Sequence, residues 1–192
     1  MSLRNTARRY GTVAMSLHWL IAAFVIVNIG FGLYMGDLPR SDPNKFAIMQ
    51  IHKSIGLTVL VLSVIVFVWR LMNPPPPLPA GMSPLMRLAA HGTHYLLYFL
   101  IVAIPLSGWI MVSASPLGNS TPWFFLFDWP NLPFFNGLDV HARVAAHEQW
   151  EDIHTALAWS AIVLIPLHVA GALYHQFIRR DDVMKQMLPG AT

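Results

Sequence analysis

The sequence predicts an all-α integral membrane protein, a four-helix bundle with both termini cytoplasmic, in a single domain over residues 1–192. Three observations predict it. Of the residues, 55% are hydrophobic and only 11% charged, against roughly a quarter charged in soluble domains. Four apolar stretches are each long enough to cross a hydrocarbon core of ~30 Å, which takes about 20 helical residues. The basic residues, which leave a formal charge of +3, flank those stretches instead of forming a surface patch, so they set topology and do not point to nucleic acid. No cysteine is present, which excludes disulfides, thiolate metal sites, iron–sulfur clusters and thiol nucleophiles.

The spans run approximately over residues 14–35, 54–72, 93–114 and 153–178. Arg4, Arg8 and Arg9 precede the first as they would a signal peptide. A signal core, however, is only about 7–15 residues and ends at a small-residue cleavage site, and the stretch up to Met35 does neither. Arg4, Arg8, Arg9, Arg70, Arg87, Arg179, Arg180 and Lys185 fall on one side of the spans; Arg40, Lys45, Lys53 and Arg143 fall on the other with most of the acids. By the positive-inside rule the first side is cytoplasmic. There Pro74 to Pro77 and Pro79 form a stiff extended spacer. The long outer connection from Ser113 to about Val140 carries Trp123, Phe124, Phe125, Trp129, Phe134 and Phe135, expected as an interfacial belt or a lid against the bilayer.

Ionisable groups inside a membrane are costly, so each histidine in a span is a functional candidate. They are His18 in the first span, His52 at the outer start of the second, His91 and His94 at the inner start of the third, and His154, His168 and His175 in the fourth. His154 and His168 are 14 residues apart, which returns to nearly the same helix face and separates them by ~21 Å. Counting depth from the outer surface pairs His52 with His154; counting from Arg9 pairs His18 with His168.

Two histidine pairs at two depths in a four-helix bundle are what bis-imidazole ligation of two hemes b requires. Small neighbours give a flat macrocycle clearance: Ala14 and Ala22 flank His18, Gly56 follows His52, Ala158 follows His154, Gly171 follows His168, and Ala161 lies between the last two. Zinc or di-iron chemistry needs carboxylates that the apolar stretches lack. A histidine-relay transporter remains the non-heme alternative, although the spans do not read as Gly/Pro-broken repeats.

The stretches SLHW (residues 16–19), HKSIG (52–56), AHGTHYLLY (90–98), WEDIHTA (150–156) and LHVAGALYH (167–175) cover all four spans in order. In them the chain resembles the bacterial cytochrome b561 family, related to the cytochrome b subunits of nickel hydrogenases and formate dehydrogenases. The resemblance implies two b-type hemes, one held by His18 and His168 and one by His52 and His154. It also implies an electron carrier of the bacterial inner membrane that exchanges with ubiquinone, with periplasmic superoxide as a donor known for members of the family. A membrane-anchor subunit taking electrons from a partner redox protein is the alternative.

The remaining polar residues take roles within that frame. His175 is seven residues beyond His168 on the same face and is expected to line a quinone pocket and supply a proton. Ser16, Trp19 and Arg70 lie at similar depth and could complete it, or Arg70 could pair a heme propionate. Lys53, beside His52, could neutralise an outer propionate or, with Arg143, attract a small anion. His94 is an alternative to His18 as inner ligand. His141 and His147 are expected to be exposed, and Arg179, Arg180 and Lys185 to meet anionic membrane lipid.

Overall fold

The computed structural model describes residues 2–79, 81–118 and 120–190. Its long helices are α1 (Thr12–Asp37), α2 (Lys45–Met72), α3 (Pro84–Ala114) and α4 (Val140–Tyr174), the last continued by a π-helical turn over His175–Arg179. All four are long and apolar enough to cross a membrane. Each contains the expected span, but three begin well before it: α2 by nine residues, α3 by nine and α4 by thirteen. Caps explain two of these starts. Ser83 accepts from the Met86 amide with Pro84 in the first turn, and Asp139 accepts from the Ala142 amide. At 35 residues α4 is about 52 Å long, so its charged first turns project beyond a hydrocarbon core of about 30 Å.

The interior mixes buried hydroxyls with a few apolar side chains such as Ile55, Leu57 and Leu100, while most of the apolar bulk faces outward. Ser54, Ser63, Ser107 and Ser113 are almost completely buried, and each hydroxyl donates to a carbonyl one turn back, of Gln50, Leu60, Ile104 and Trp109. Ile26, Val64, Val68, Phe99 and Val163 are among the exposed large side chains. Without water to expel between helices, close packing of small residues and satisfied hydroxyls hold such a bundle together. Pro105 and Pro166 lie inside α3 and α4 without ending either helix, as membrane helices permit.

Backbones of α1 and α2, α2 and α3, and α3 and α4 pack on one another; α1 and α4 share no comparable seam among the described residues. Both termini lie at one end, tied there by Asn5 donating to the Asn73 carbonyl, the Tyr10 amide to Gln186 and the Trp19 indole to Met187. At the opposite end the long connection forms an antiparallel hairpin, β1 (Thr121–Trp123) with β2 (Phe127–Trp129), Trp123 opposite Phe127. The tip is not a loose lid. Phe124 and Phe125 take positive φ of 46° and 60°, unusual for bulky residues. The Phe124 amide donates to Ser54 Oγ at 2.9 Å and the Trp123 indole to Thr58 Oγ1 at 3.2 Å. The Phe125 and Leu126 amides close on Pro122 and Trp123 carbonyls. The turn therefore docks against α2 with its backbone donors satisfied, the condition for irregular chain at membrane depth.

Candidate functional site

His52 of α2 and His154 of α4 face one another with ring centres 6.2 Å apart and planes at 86°. His52 Nδ1 lies 3.1 Å from the Asn28 carbonyl of α1, and His154 Nδ1 lies 3.0 Å from the Ile104 carbonyl and 3.1 Å from Ser107 Oγ, both on α3. Donation through Nδ1 leaves Nε2 with a free lone pair, the arrangement that orients an imidazole for a metal. Each ring also rests against a glycine of the helix that holds it. A Cβ at Gly32 would come 3.2 Å from His52 Cε1, and one at Gly108 3.1 Å from His154 Cε1.

At the other depth His18 of α1 and His168 of α4 have ring centres 6.3 Å apart at 61°. These two separations have a simple chemical reading. A metal–imidazole bond is about 2.0 Å and a ring nitrogen lies about 1.1 Å from its ring centre, so two imidazoles on opposite sides of one metal sit about 6.2 Å apart. His94 of α3 also meets His168, but at 5.3 Å and 89°, an edge-to-face ring contact about an ångström too short for an intervening metal. Its Nδ1 is 2.7 Å from its own helix carbonyl at Ala90. Along α4 the two pairs are separated by about 21 Å, with Ala161 between them at 2% exposure. Among the described residues no cluster of three or more histidine and carboxylate groups could hold a bare metal ion.

The other candidates separate. His175 is 9% exposed and its Nδ1 is 2.7 Å from Asp181 Oδ2. Arg70 donates to the Tyr98 hydroxyl at 2.7 Å and stacks over that ring at 4.7 Å, with Tyr10 beside it. Trp19 packs edge-on against His18 at 5.2 Å and donates to Met187, while Ser16 is exposed. Arg70 is thus engaged with the two tyrosines and not with Ser16 or Trp19. Lys53 is half-buried and makes no hydrogen bond or ion pair among the described residues.

Several expectations change. Neither His52 nor His154 opens its helix: they lie 7 and 14 residues inside α2 and α4, because those helices extend outward as charged turns. Arg143 is no free cation; it donates to the carbonyls of Ser113, Ala114 and Ser115 and so caps the end of α3. His147 is half-buried, 2.8 Å from the Met111 carbonyl, whereas His141 is exposed. Arg179 donates to the Gly81 carbonyl and Lys185 pairs with Asp182. Sequence reasoning passed over Asp181, Ser107, Asn28 and the glycines Gly32 and Gly108. Spacing offered a signal for the last two, each lying in an apolar run on a helix that faces an intramembrane histidine.

Comparison with known proteins points to cytochromes. The family described as prokaryotic cytochrome b561 matches residues 9–190. The chain is 37% identical to cytochrome b561 homolog 2 of Escherichia coli, over 98% of this chain and 95% of that protein. It is 28% identical to the probable superoxide oxidase CybB of Yersinia pestis, over 95% and 97%, and 27% identical to cytochrome b562 of Cereibacter sphaeroides, over 93% and 94%.

Proposed function

Because the chain belongs to the prokaryotic cytochrome b561 family, and so is a multi-pass bacterial membrane protein of electron transfer, we propose that it carries two hemes b and passes electrons from a periplasmic donor to ubiquinone in the inner membrane. The observation that carries the reading is the pair of ring separations, 6.2 Å for His52 with His154 and 6.3 Å for His18 with His168. Each pair, at its own depth along α4, would hold one heme iron between its two imidazoles. Bound there, the hemes supply one-electron chemistry across the bilayer.

The residues of the chain do the rest. Asn28, Ile104 and Ser107 fix the outer imidazoles, and Gly32 and Gly108 admit them. Lys53, a half-buried ammonium beside His52 with no hydrogen bond or ion pair among the described residues, draws a small anion such as superoxide toward the outer site; the name of the Yersinia pestis relative supports that donor. His175 hands a proton to reduced ubiquinone at the opposite end. On this reading the end that gathers both termini is cytoplasmic, in line with the basic residues that crowd it.

The visible spectrum of the purified protein and pyridine hemochrome quantification test the cofactor: two hemes b per chain are expected, and one or none overturns the pairing. Stopped-flow mixing with a superoxide source, then with a soluble ubiquinone, tests the direction. If superoxide leaves the hemes oxidised, the donor is a partner redox protein and this chain is its membrane anchor.

A further inference from the structure

The end of α4 is folded back on itself. After Tyr174 the helix widens into the π-helical turn His175–Arg179, and Arg180 adopts the left-handed conformation with φ 54° and ψ 37°. The Asp181 amide then donates to the His175 carbonyl at 3.2 Å. A π-turn followed by a left-handed residue shifts the register so that a carboxylate six residues on returns beneath the imidazole. Asp181 Oδ2 reaches His175 Nδ1 at 2.7 Å, and its other oxygen accepts from the Val183 amide at 3.2 Å. Both carboxylate oxygens are therefore committed, and the carboxylate cannot swing away without losing a turn. π-Turns of this kind recur at functional positions.

We propose that Asp181 is the positioning residue of the quinone site: it holds Nδ1 of His175 protonated and aimed at itself, leaving Nε2 as the one nitrogen that exchanges protons. This rests on the reading of His175 as the proton donor to quinone. The reduction consumes two electrons, delivered through the chain, and two protons. Each proton passes from Nε2 of His175 to a quinone oxygen as that oxygen gains charge, and the imidazole takes its replacement from water. Asp181 is not itself consumed; a carboxylate at Nδ1 fixes tautomer and orientation, as in hydrolase triads. Asp181 also lines a cavity of about 290 Å³ with Gln176, Phe177, Arg180 and Lys185. Arg179 lies 3.9 Å from the same carboxylate. That cavity lies beyond the end of α4, on the Asp181 side of the pair.

The test uses the full heme-loaded chain in detergent, with reduced hemes reoxidised by a soluble short-chain ubiquinone. Asp181→Asn lowers kcat roughly 10–100-fold, the usual cost of removing a partner that orients an imidazole, while KM for the quinone and both heme spectra stay as in wild type. Asp181→Glu restores most of the rate, which a merely structural role would not produce. A wild-type rate in Asp181→Asn beside a slow His175→Ala overturns the positioning role and leaves the quinone reading standing. A wild-type rate in His175→Ala overturns the quinone reading itself. Slow turnover in Asp181→Asn without rescue by Asp181→Glu, together with lost heme, assigns Asp181 to folding and overturns the proposal.

Discussion

His52 and His154 present their imidazoles to each other across the bundle almost at right angles, 6.2 Å between ring centres, and each turns its Nδ1 to a carbonyl of a third or fourth helix. All four helices thus converge on one pair of rings. Polar contacts from α1 and α3 brace this pair, whereas among the described residues His18 and His168 show ring contacts only.

Substitution of ligands should sort by pairs. His52→Ala and His154→Ala are expected to remove the same heme, and His18→Ala and His168→Ala the other, each leaving about half the hemochrome. His94→Ala keeps both. Should His94→Ala reproduce the spectrum of His168→Ala while His18→Ala retains two hemes, His94 replaces His18 as ligand.

Gly108→Ala places a methyl 3.1 Å from His154 Cε1, and Gly32→Ala one 3.2 Å from His52 Cε1. Both crowd a ring against a helix backbone, so heme loading should fall, Gly108→Val losing more than Gly108→Ala. Gly36, near the end of α1, whose Cβ would meet nothing within 4 Å, is the control: Gly36→Ala should load normally. Absorbance per protein reads the outcome.

Lys53 and Arg143 carry the same charge but should behave differently. Lys53→Glu is expected to slow heme reduction by superoxide and weaken its dependence on ionic strength, since screening acts on attraction at the entry site. Arg143→Gln removes the donor that satisfies three terminal carbonyls of α3. It should lower Tm and leave that salt dependence in place.

Ser54→Ala strips the Phe124 amide of its acceptor. An unsatisfied buried donor costs about 1–3 kcal/mol, and 1 kcal/mol shifts Tm by roughly 2–4 °C at this chain length. Thermal unfolding in one detergent should show a drop of several degrees with the heme spectrum unchanged.

Tyr10, ahead of α1, has its phenol pushed above the ordinary 10.0, chiefly by burial and further by Tyr98, with Arg70 opposing. The folded chain therefore keeps this proton longer than the unfolded one. The contribution is whole below about pH 10 and is lost as pH rises beyond it. Tyr10→Phe should lose less Tm between about pH 9 and about pH 11 than wild type.

The spans were legible because twenty apolar residues in a row have few other uses, and the histidine pairings because rise per residue converts position to depth. Helix starts were not, since Lys45–Lys53 and Val140–Asp152 are charged turns whose ends depend on caps and packing. The hairpin was hidden for a different reason: Trp123, Phe124 and Phe125 offer no Asn-Gly or Asp-Gly turn signal, and the positive φ at Phe124 and Phe125 comes with contacts to Ser54 and Thr58 that lie far away in sequence. Asp181 was overlooked because Arg180 is not the glycine that usually marks a left-handed residue.

The sparse packing of α1 against α4 among the described residues bears on biogenesis. Both histidine pairs draw one member from α4, and the strap that ties Tyr10 to Gln186 and Trp19 to Met187 cannot close before residues 186 and 187 have been made. A chain halted after α3 can form neither histidine pair, since His154 and His168 both lie on α4. If these pairs hold hemes, loading therefore waits for α4, and among the described residues the sparsely packed side between α1 and α4 is where a flat macrocycle would enter from the bilayer.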